Sequence, residues 1–240
     1  MALDLTVAVS SAIPRRREHL APHVAFFVTL LAVTPARADN GCLYANGTSS
    51  EDAATCRTLD PIGIRTDPSI TAAIRFLNID EPRIVFVGCS DARFGTRISR
   101  SIPRRIYTIT YRLNGDVSKG DLVAATLHEL SHVYQLEEGD ESISDITRRL
   151  GIERIELGAD FVAGVSFARS GMTLARTDFE HSLNLTGGYV SADSDHGWPE
   201  DRLSAFRMGF FYDRDVSLAD AYVEFQRDLY GEIKHMNRSR

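Results

Sequence analysis

The chain has few cysteines, almost no lysine and, after its N-terminal region, no long apolar run. None of its three cysteines forms a C-x-x-C pair, which disfavours a zinc site built from cysteine. Lys119 and Lys234 are the only lysines, and we attribute this preference for arginine to genomic composition rather than to function. The formal net charge of −6 gives a nucleic-acid partner no electrostatic support. Beyond the N-terminal region, no stretch resembles a membrane span of about 20 apolar residues.

The N-terminal residues have the pattern of a secretory signal peptide. Arginines at 15–17 precede an apolar run from Val24 to Val33, and Ala36-Arg37-Ala38 matches the small-x-small cleavage site. The apolar run is shorter than a membrane span of about 20 residues, which makes an uncleaved anchor the weaker alternative. We therefore expect residues 1–38 to be removed near Ala38 and the mature protein to be exported, to the periplasm or outside the cell.

All three cysteines lie in the expected mature chain, where an oxidising compartment favours a disulfide. Cys42 and Cys56 are the expected pair, because this bond would tie down a Gly-, Ser- and Asp-rich segment that has little to bury. Cys89 ends an apolar strand and is expected to be a buried free thiol. We thus predict a disulfide-tied loop segment over residues 39–66, followed by a single domain over residues 67–240.

The most informative segment is His128-Glu129-Leu130-Ser131-His132, an HExxH motif. Ser118 and Asp121 match a capping box, and apolar residues follow at helical spacing, so we predict a helix over 119–138. Histidines at i and i+4 share one helical face and can reach one metal ion, while Glu129 beside them can move protons. Two ordinary helix histidines are the alternative, which the spacing and the intervening glutamate disfavour.

A second polar pair, Glu156 and Asp160, lies on a helix predicted from about residue 152 to 170. Zinc needs a third protein ligand, and histidine ligands usually donate to a carboxylate. We assign Glu156 to the metal and Asp160 to a hydrogen bond that sets the tautomer of one ligand imidazole. The alternative is a solvated acidic stripe, but the apolar neighbours predict a buried helix, where carboxylates need partners. Gly158 and Gly164 are predicted to let this helix approach the HExxH helix closely.

These segments together resemble the neutral zinc metallopeptidases of the gluzincin type, which carry HExxH on one helix and ExxAD on a later one. The matching segments are HELSHVYQ over residues 128–135 and ELGADFVAG over residues 156–164. Residues 196–202, HGWPEDR, look like the His and Arg element that such peptidases carry after the third ligand. Three ordered segments are more specific than any one of them.

The resemblance implies one zinc ion per chain, with Glu129 as the general base. The implied zinc ligands are His128, His132 and Glu156. His196 or Arg202 is implied near the oxyanion of the reaction. His196 could equally be a surface residue, and Arg202 could instead form a salt bridge that holds the helix after Pro199.

The periodicity predicts an α+β fold, with a small mixed or antiparallel sheet packed beside a mainly helical, zincin-like body. Strands are predicted over 83–89 and 105–113, and helices over 68–77, 119–138, 142–150, 152–170, 199–212 and 217–235. In peptidases of the resembled type, the strand before the active-site helix is an edge that binds the substrate backbone. That strand is 105–113, with Tyr107, Ile109 and Tyr111 as candidate substrate contacts, and an interior strand is the alternative.

The sequence therefore predicts an exported zinc metallopeptidase that hydrolyses peptide bonds with an activated water and a glutamate base. Its expected partner is a peptide or protein substrate, and the oligomeric state is left open. Two alternatives remain. One is a zinc hydrolase acting on a non-peptide amide or ester, and the other is a catalytically inactive binding protein with a zincin fold.

Overall fold

A computed structural model of the chain describes residues 43–44, 56–59, 63–89, 95–101, 104–112, 118–139, 143–172, 175–177, 179–180 and 197–238. The chain divides into two compact units, Met1–Ala38 and Asp39–Arg240, and all described residues belong to the second. The predicted signal peptide, Cys42 and His196 lie outside the described residues.

The described strands form one mixed sheet of five strands in the order β1-β4-β5-β3-β2. They are β1 (Leu43–Tyr44), β2 (Cys56–Leu59), β3 (Ile84–Cys89), β4 (Gly95–Ser101) and β5 (Arg104–Arg112). The central strand β5 runs parallel to β3 and antiparallel to β4. β2 is antiparallel to β3, and β1 is parallel to β4. A mixed sheet accompanied by helices confirms the predicted α+β class.

The segment 39–66, predicted as a loop, instead supplies two strands of this sheet, β1 and β2. These strands are two and four residues long. Such short strands show too little alternation of apolar and polar residues to be recognised from sequence.

The prediction that β5 is an edge strand is wrong, and the interior alternative is correct. β3 and β4 pair with β5 on its two sides, so its backbone groups are already engaged. Tyr107, Ile109 and Tyr111 are fully buried and belong to the hydrophobic core. They therefore support packing rather than substrate contact.

The described helices are α1 (Pro68–Phe76), α2 (Lys119–Glu138), α3 (Ile143–Leu150), α4 (Ile152–Arg169), α5 (Pro199–Phe210), α6 (Leu218–Glu224) and α7 (Tyr230–Arg238). The first five begin and end within two residues of the predicted bounds. The predicted helix 217–235 is interrupted by a π-helical turn over Phe225–Leu229. In the part of the chain with described structure, no helix combines the length and apolarity needed to cross a membrane.

Helix α2 is the central helix, because every residue from Val123 to Leu136 is buried. Its first turn carries the predicted capping box, in which Ser118 Oγ accepts from the Asp121 N–H and Asp121 Oδ2 accepts from the Ser118 N–H. Its last turn is attached to the sheet by Arg83, whose guanidinium donates to both carboxylate oxygens of Glu137 at 2.8 and 2.6 Å. Both ends of the HExxH helix are therefore held.

Helices α4 and α5 cross in close backbone contact at two glycines. A Cβ on Gly164 of α4 would lie 2.1 Å from the Phe206 carbonyl oxygen, and a Cβ on Gly209 of α5 would lie 2.0 Å from the Phe161 carbonyl oxygen. The close approach predicted from Gly164 thus exists, but toward α5 rather than toward the HExxH helix. This crossing brings α5 against the segment of α4 that carries the acidic pair.

We expect Gly164→Ala and Gly209→Ala each to lower the free energy of unfolding by about 1–3 kcal/mol or more, because the obstructing atoms are backbone atoms that cannot rotate away. Urea unfolding measures this loss. Gly231→Ala on α7 is the matched control, since no atom lies within 4 Å of its Cβ position. Equal midpoints for the three variants would show that the crossing tolerates a side chain.

The register of β2 and β3 places Cys56 directly opposite Cys89, beside an irregularity between Cys56 and Thr58. Opposite residues of antiparallel strands have Cα atoms about 4.5–5.5 Å apart, within the about 4.4–6.8 Å that disulfides span. The backbone therefore offers Cys56 a partner other than Cys42.

We expect non-reducing peptide mapping of the protein, purified from an oxidising compartment, to recover a Cys56–Cys89 cross-link, because the strand register holds the backbones of these two positions opposite each other. A Cys42–Cys56 cross-link would support the prediction from sequence instead. The Cys42→Ser variant is the control, since it leaves the Cys56–Cys89 cross-link in place if the register determines pairing.

Candidate metal centre

Three potential ligand atoms converge between α2 and α4. His128 Nε2 lies 3.1 Å from His132 Nε2 and 3.2 Å from Glu156 Oε2, and His132 Nε2 lies 3.5 Å from the same oxygen. The residues are 3%, 0% and 0% exposed, respectively. They form the metal-compatible group of His, Cys, Asp and Glu side chains found among the described residues.

The spacing of these atoms fits a tetrahedral zinc ion. Zinc binds imidazole nitrogen and carboxylate oxygen at about 2.0–2.1 Å, so two ligand atoms at the tetrahedral angle lie about 3.3 Å apart. The three observed separations, 3.1, 3.2 and 3.5 Å, bracket this value. Two nitrogens and one carboxylate oxygen also form the donor set of a catalytic zinc site, with a fourth position left for water. The residues present therefore fit the ion that the resemblance implies.

The other ring nitrogen of His128 is held by Asp160, the hydrogen bond predicted from sequence. His128 Nδ1 lies 2.8 Å from Asp160 Oδ1. Arg202 of α5 donates from Nε to Asp160 Oδ2 at 2.8 Å and from Nη2 to Asp160 Oδ1 at 3.0 Å. Asp160 and Arg202 are 0% and 2% exposed, so this chain of three side chains lies in the core. A carboxylate on Nδ1 sets the imidazole tautomer and directs the Nε2 lone pair toward the metal position.

Charge balance keeps Asp160 ionised. Burial by itself would raise the pKa of the Asp160 carboxyl, but the charges and hydrogen bonds of Arg202 and His128 lower it below its usual value. Burial likewise lowers the pKa of the His128 imidazole, but Asp160 and the hydrogen bond to Glu156 outweigh it and raise this pKa to about 10. A metal ion and a proton therefore compete for His128 Nε2.

Arg202 occupies a different place from the oxyanion position that the resemblance implies. Its bonds to Asp160 lie on the Nδ1 side of His128, whereas the ligand atoms meet on the Nε2 side. The structure shows the predicted alternative, a salt bridge, which joins α5, the helix that begins at Pro199, to α4. Arg202 thus contacts Asp160 and is connected to the three converging ligand atoms through Asp160 and His128. Neither chain periodicity nor motif spacing specifies this partner, which lies 42 residues from Asp160.

Glu129, the predicted base, lies on α2 next to His128 and is 1% exposed. The sequence motif did not identify Gln135, whose side-chain oxygen lies 2.9 Å from His132 Nδ1. Gln135 could have been recognised in the sequence as an amide side chain that follows the second histidine of the motif by three residues on a helix predicted to be buried. The two imidazoles of the candidate site therefore have different partners, a carboxylate for His128 and an amide for His132.

Comparisons of the chain with protein-family models, with curated proteins and with solved structures found no match. The geometry and chemistry of the site are therefore the basis for inferring its function.

We expect Arg202→Met to lower the free energy of unfolding of the metal-free protein by about 3–5 kcal/mol, because the ionised Asp160 then lacks its guanidinium in the core. Adding Asp160→Asn should recover part of this loss, since the uncompensated charge is removed. Urea unfolding of the two single variants and the double variant gives the coupling energy.

The control is Arg207→Met on the same helix. Arg207 also donates twice to one carboxylate, that of Glu180, but is 51% exposed, so its loss should cost no more than about 1 kcal/mol. Equal losses for Arg202→Met and Arg207→Met would contradict the importance of burial at Asp160.

Proposed function

We propose that this chain is an exported zinc-dependent metallopeptidase. The observation that carries the proposal is the triangle of His128 Nε2, His132 Nε2 and Glu156 Oε2, whose spacing matches a tetrahedral zinc site. The buried Asp160 on His128 supports it, because carboxylate-held imidazoles are typical of zinc ligands. Zinc, when bound, would supply a Lewis acid that lowers the pKa of a water and polarises a carbonyl oxygen.

The residues around the zinc position have separate roles in this proposal. The Glu129 carboxylate would accept a proton from the attacking water and deliver it to the nitrogen of the leaving amine. The three ligands would hold the metal, and Asp160 with Arg202 would keep the Nε2 lone pair of His128 aimed at it. His196 remains the proposed oxyanion contact from the resemblance, and it lies outside the described residues.

A protein substrate is favoured over a small ester by the edge of the sheet. β4 contacts α2, the helix that carries the HExxH motif. Of the strands that the structure describes, only β1 pairs with the outer edge of β4, at Thr96 and Arg97. We propose that the backbone of residues 98–101, beyond the β1 pairing, binds an extended peptide, which would give affinity with little dependence on sequence. This edge replaces β5 as the proposed substrate strand.

The test combines elemental analysis with a cleavage assay on the purified protein. Wild type should contain one zinc per chain, and Glu156→Gln should lose it, whereas Glu200→Gln, an exposed glutamate on α5, should not. Glu129→Gln should retain zinc but cleave an unfolded protein such as casein about 10²- to 10⁴-fold more slowly, because the proton acceptor is removed.

Other outcomes separate the alternatives. Absence of zinc from the wild type after reconstitution would overturn the metal site and favour a binding protein. Zinc without casein cleavage, but with turnover of small amides or esters that depends on Glu129, would identify a non-peptide hydrolase.

A further inference from the structure

Gln135 is a buried polar residue that the proposed chemistry does not use directly. It is 1% exposed and follows His132 by one helical turn on α2. Its side-chain oxygen Oε1 lies 2.9 Å from His132 Nδ1, and its Nε2 donates to the Ile155 carbonyl oxygen at 2.9 Å. The amide thus bridges one proposed ligand on α2 and the backbone of α4 next to another ligand, Glu156.

The hydrogen bonds of this bridge determine where the proton on His132 lies. A carbonyl oxygen only accepts hydrogen bonds, so the atom of Gln135 that faces Ile155 must be the NH2 group. The atom that faces His132 is then the amide oxygen, which also only accepts. His132 Nδ1 must therefore carry a hydrogen, and its Nε2 is left as the nitrogen that points at His128 and Glu156.

Gly158 provides the space for the amide. A Cβ at this position would lie 2.7 Å from Gln135 Nε2 and 3.0 Å from Gln226 Nε2. Both distances are shorter than a normal van der Waals contact, so a larger residue at 158 would displace the amide groups. Helix α4 thus supplies the Glu156 ligand, the carbonyl that orients Gln135, and the glycine that accommodates it.

A neutral partner on His132 also suits the charges of the site. Glu129, Glu156 and Asp160 are buried carboxylic side chains in the same region, and Arg202 is the buried guanidinium that neutralises Asp160. A further carboxylate on His132 would add negative charge to a region that has little solvent to screen it. An amide oxygen sets the imidazole tautomer without adding charge.

We propose that Gln135 is a positioning residue that holds His132 as the Nδ1–H tautomer and thereby completes the zinc site, with Gly158 reserving its place; this rests on the proposed function. Gln135 acts through His132 and does not itself touch the metal position. Its contribution is to the affinity and geometry of metal binding rather than to proton transfer.

The first test uses zinc affinity, measured by competition with a chromophoric chelator. Gln135→Leu should weaken zinc binding about 10- to 100-fold, because the imidazole loses its acceptor. Gln135→Glu should weaken zinc binding less than Gln135→Leu, because the acceptor facing His132 is retained, while the added buried charge should lower the free energy of unfolding. If Gln135 served only to link α2 to Ile155, an ionised glutamate could not donate to that carbonyl, and both variants would weaken binding equally; this result would overturn the proposal.

Gly158→Ala should displace the Gln135 amide while keeping the glutamine itself. Like Gln135→Leu, it should weaken zinc binding. It should also alter the visible spectrum of the cobalt-substituted protein, because that spectrum reports ligand geometry. Gly231→Ala is the control, since nothing lies within 4 Å of its Cβ position. Circular dichroism and thermal unfolding identify any variant that fails to fold. Unchanged zinc affinity and an unchanged cobalt spectrum in folded Gly158→Ala would contradict the role of Gly158.

A second measurement does not require metal. Long-range ¹H–¹⁵N NMR of the metal-free wild type, labelled at histidine, should show His132 protonated at Nδ1. An unprotonated Nδ1 would overturn the proposal even if zinc binds, whereas a protonated Nδ1 together with an absence of zinc binding would count against the metallopeptidase alone. The failures of the two proposals are therefore distinguishable.

Discussion

The buried ion pair between Asp160 and Arg202 is the interaction on which the geometry of the site depends. An ionised carboxylate in the core is strongly unfavourable without a cation and hydrogen bonds. Arg202 supplies both in a two-point contact, and Asp160 is then able to hold His128 by its Nδ1. Because these residues belong to α5, α4 and α2, the same contact fixes the relative positions of three helices.

Helix α4 organises the site because several of its residues act at adjacent turns. Glu156 and Asp160 lie at i and i+4 on one face of the helix. Glu156 therefore approaches His128 on its Nε2 side, and Asp160 approaches it on its Nδ1 side. Gly158 leaves room for the Gln135 amide, and Gly164 lets the backbone of α5 approach closely enough for Arg202 to reach Asp160. The small residues of this helix are thus as necessary to the arrangement as its carboxylates.

The two imidazoles receive different kinds of support. His128 has a carboxylate backed by a guanidinium, and His132 has an amide backed by a backbone carbonyl. A carboxylate raises the basicity of the ligand, whereas an amide sets orientation without adding charge. This division keeps both Nε2 atoms directed at one point while limiting the negative charge that the core must accommodate.

Much of this arrangement can be predicted from local rules that the sequence alone reveals. The pairs His128/His132 and Glu156/Asp160 are at helical spacing, and the cap at Ser118 and the proline at position 199 mark where two of the helices begin. The interior position of β5 and the strands of segment 39–66 were not predictable in this way, because strand order depends on pairing between distant segments.

The same distinction applies within the candidate metal site. The pairings of His128 with His132 and of Glu156 with Asp160 were determined by the sequence, because the geometry of an α-helix places residues four apart on one face whatever surrounds them. The partners of those residues were decided by tertiary structure: Arg202 reaches Asp160, and Gln135 reaches Ile155, only because α2, α4 and α5 pack closely. Such contacts depend on which helices cross and how near their backbones come, and helical periodicity carries no information about either.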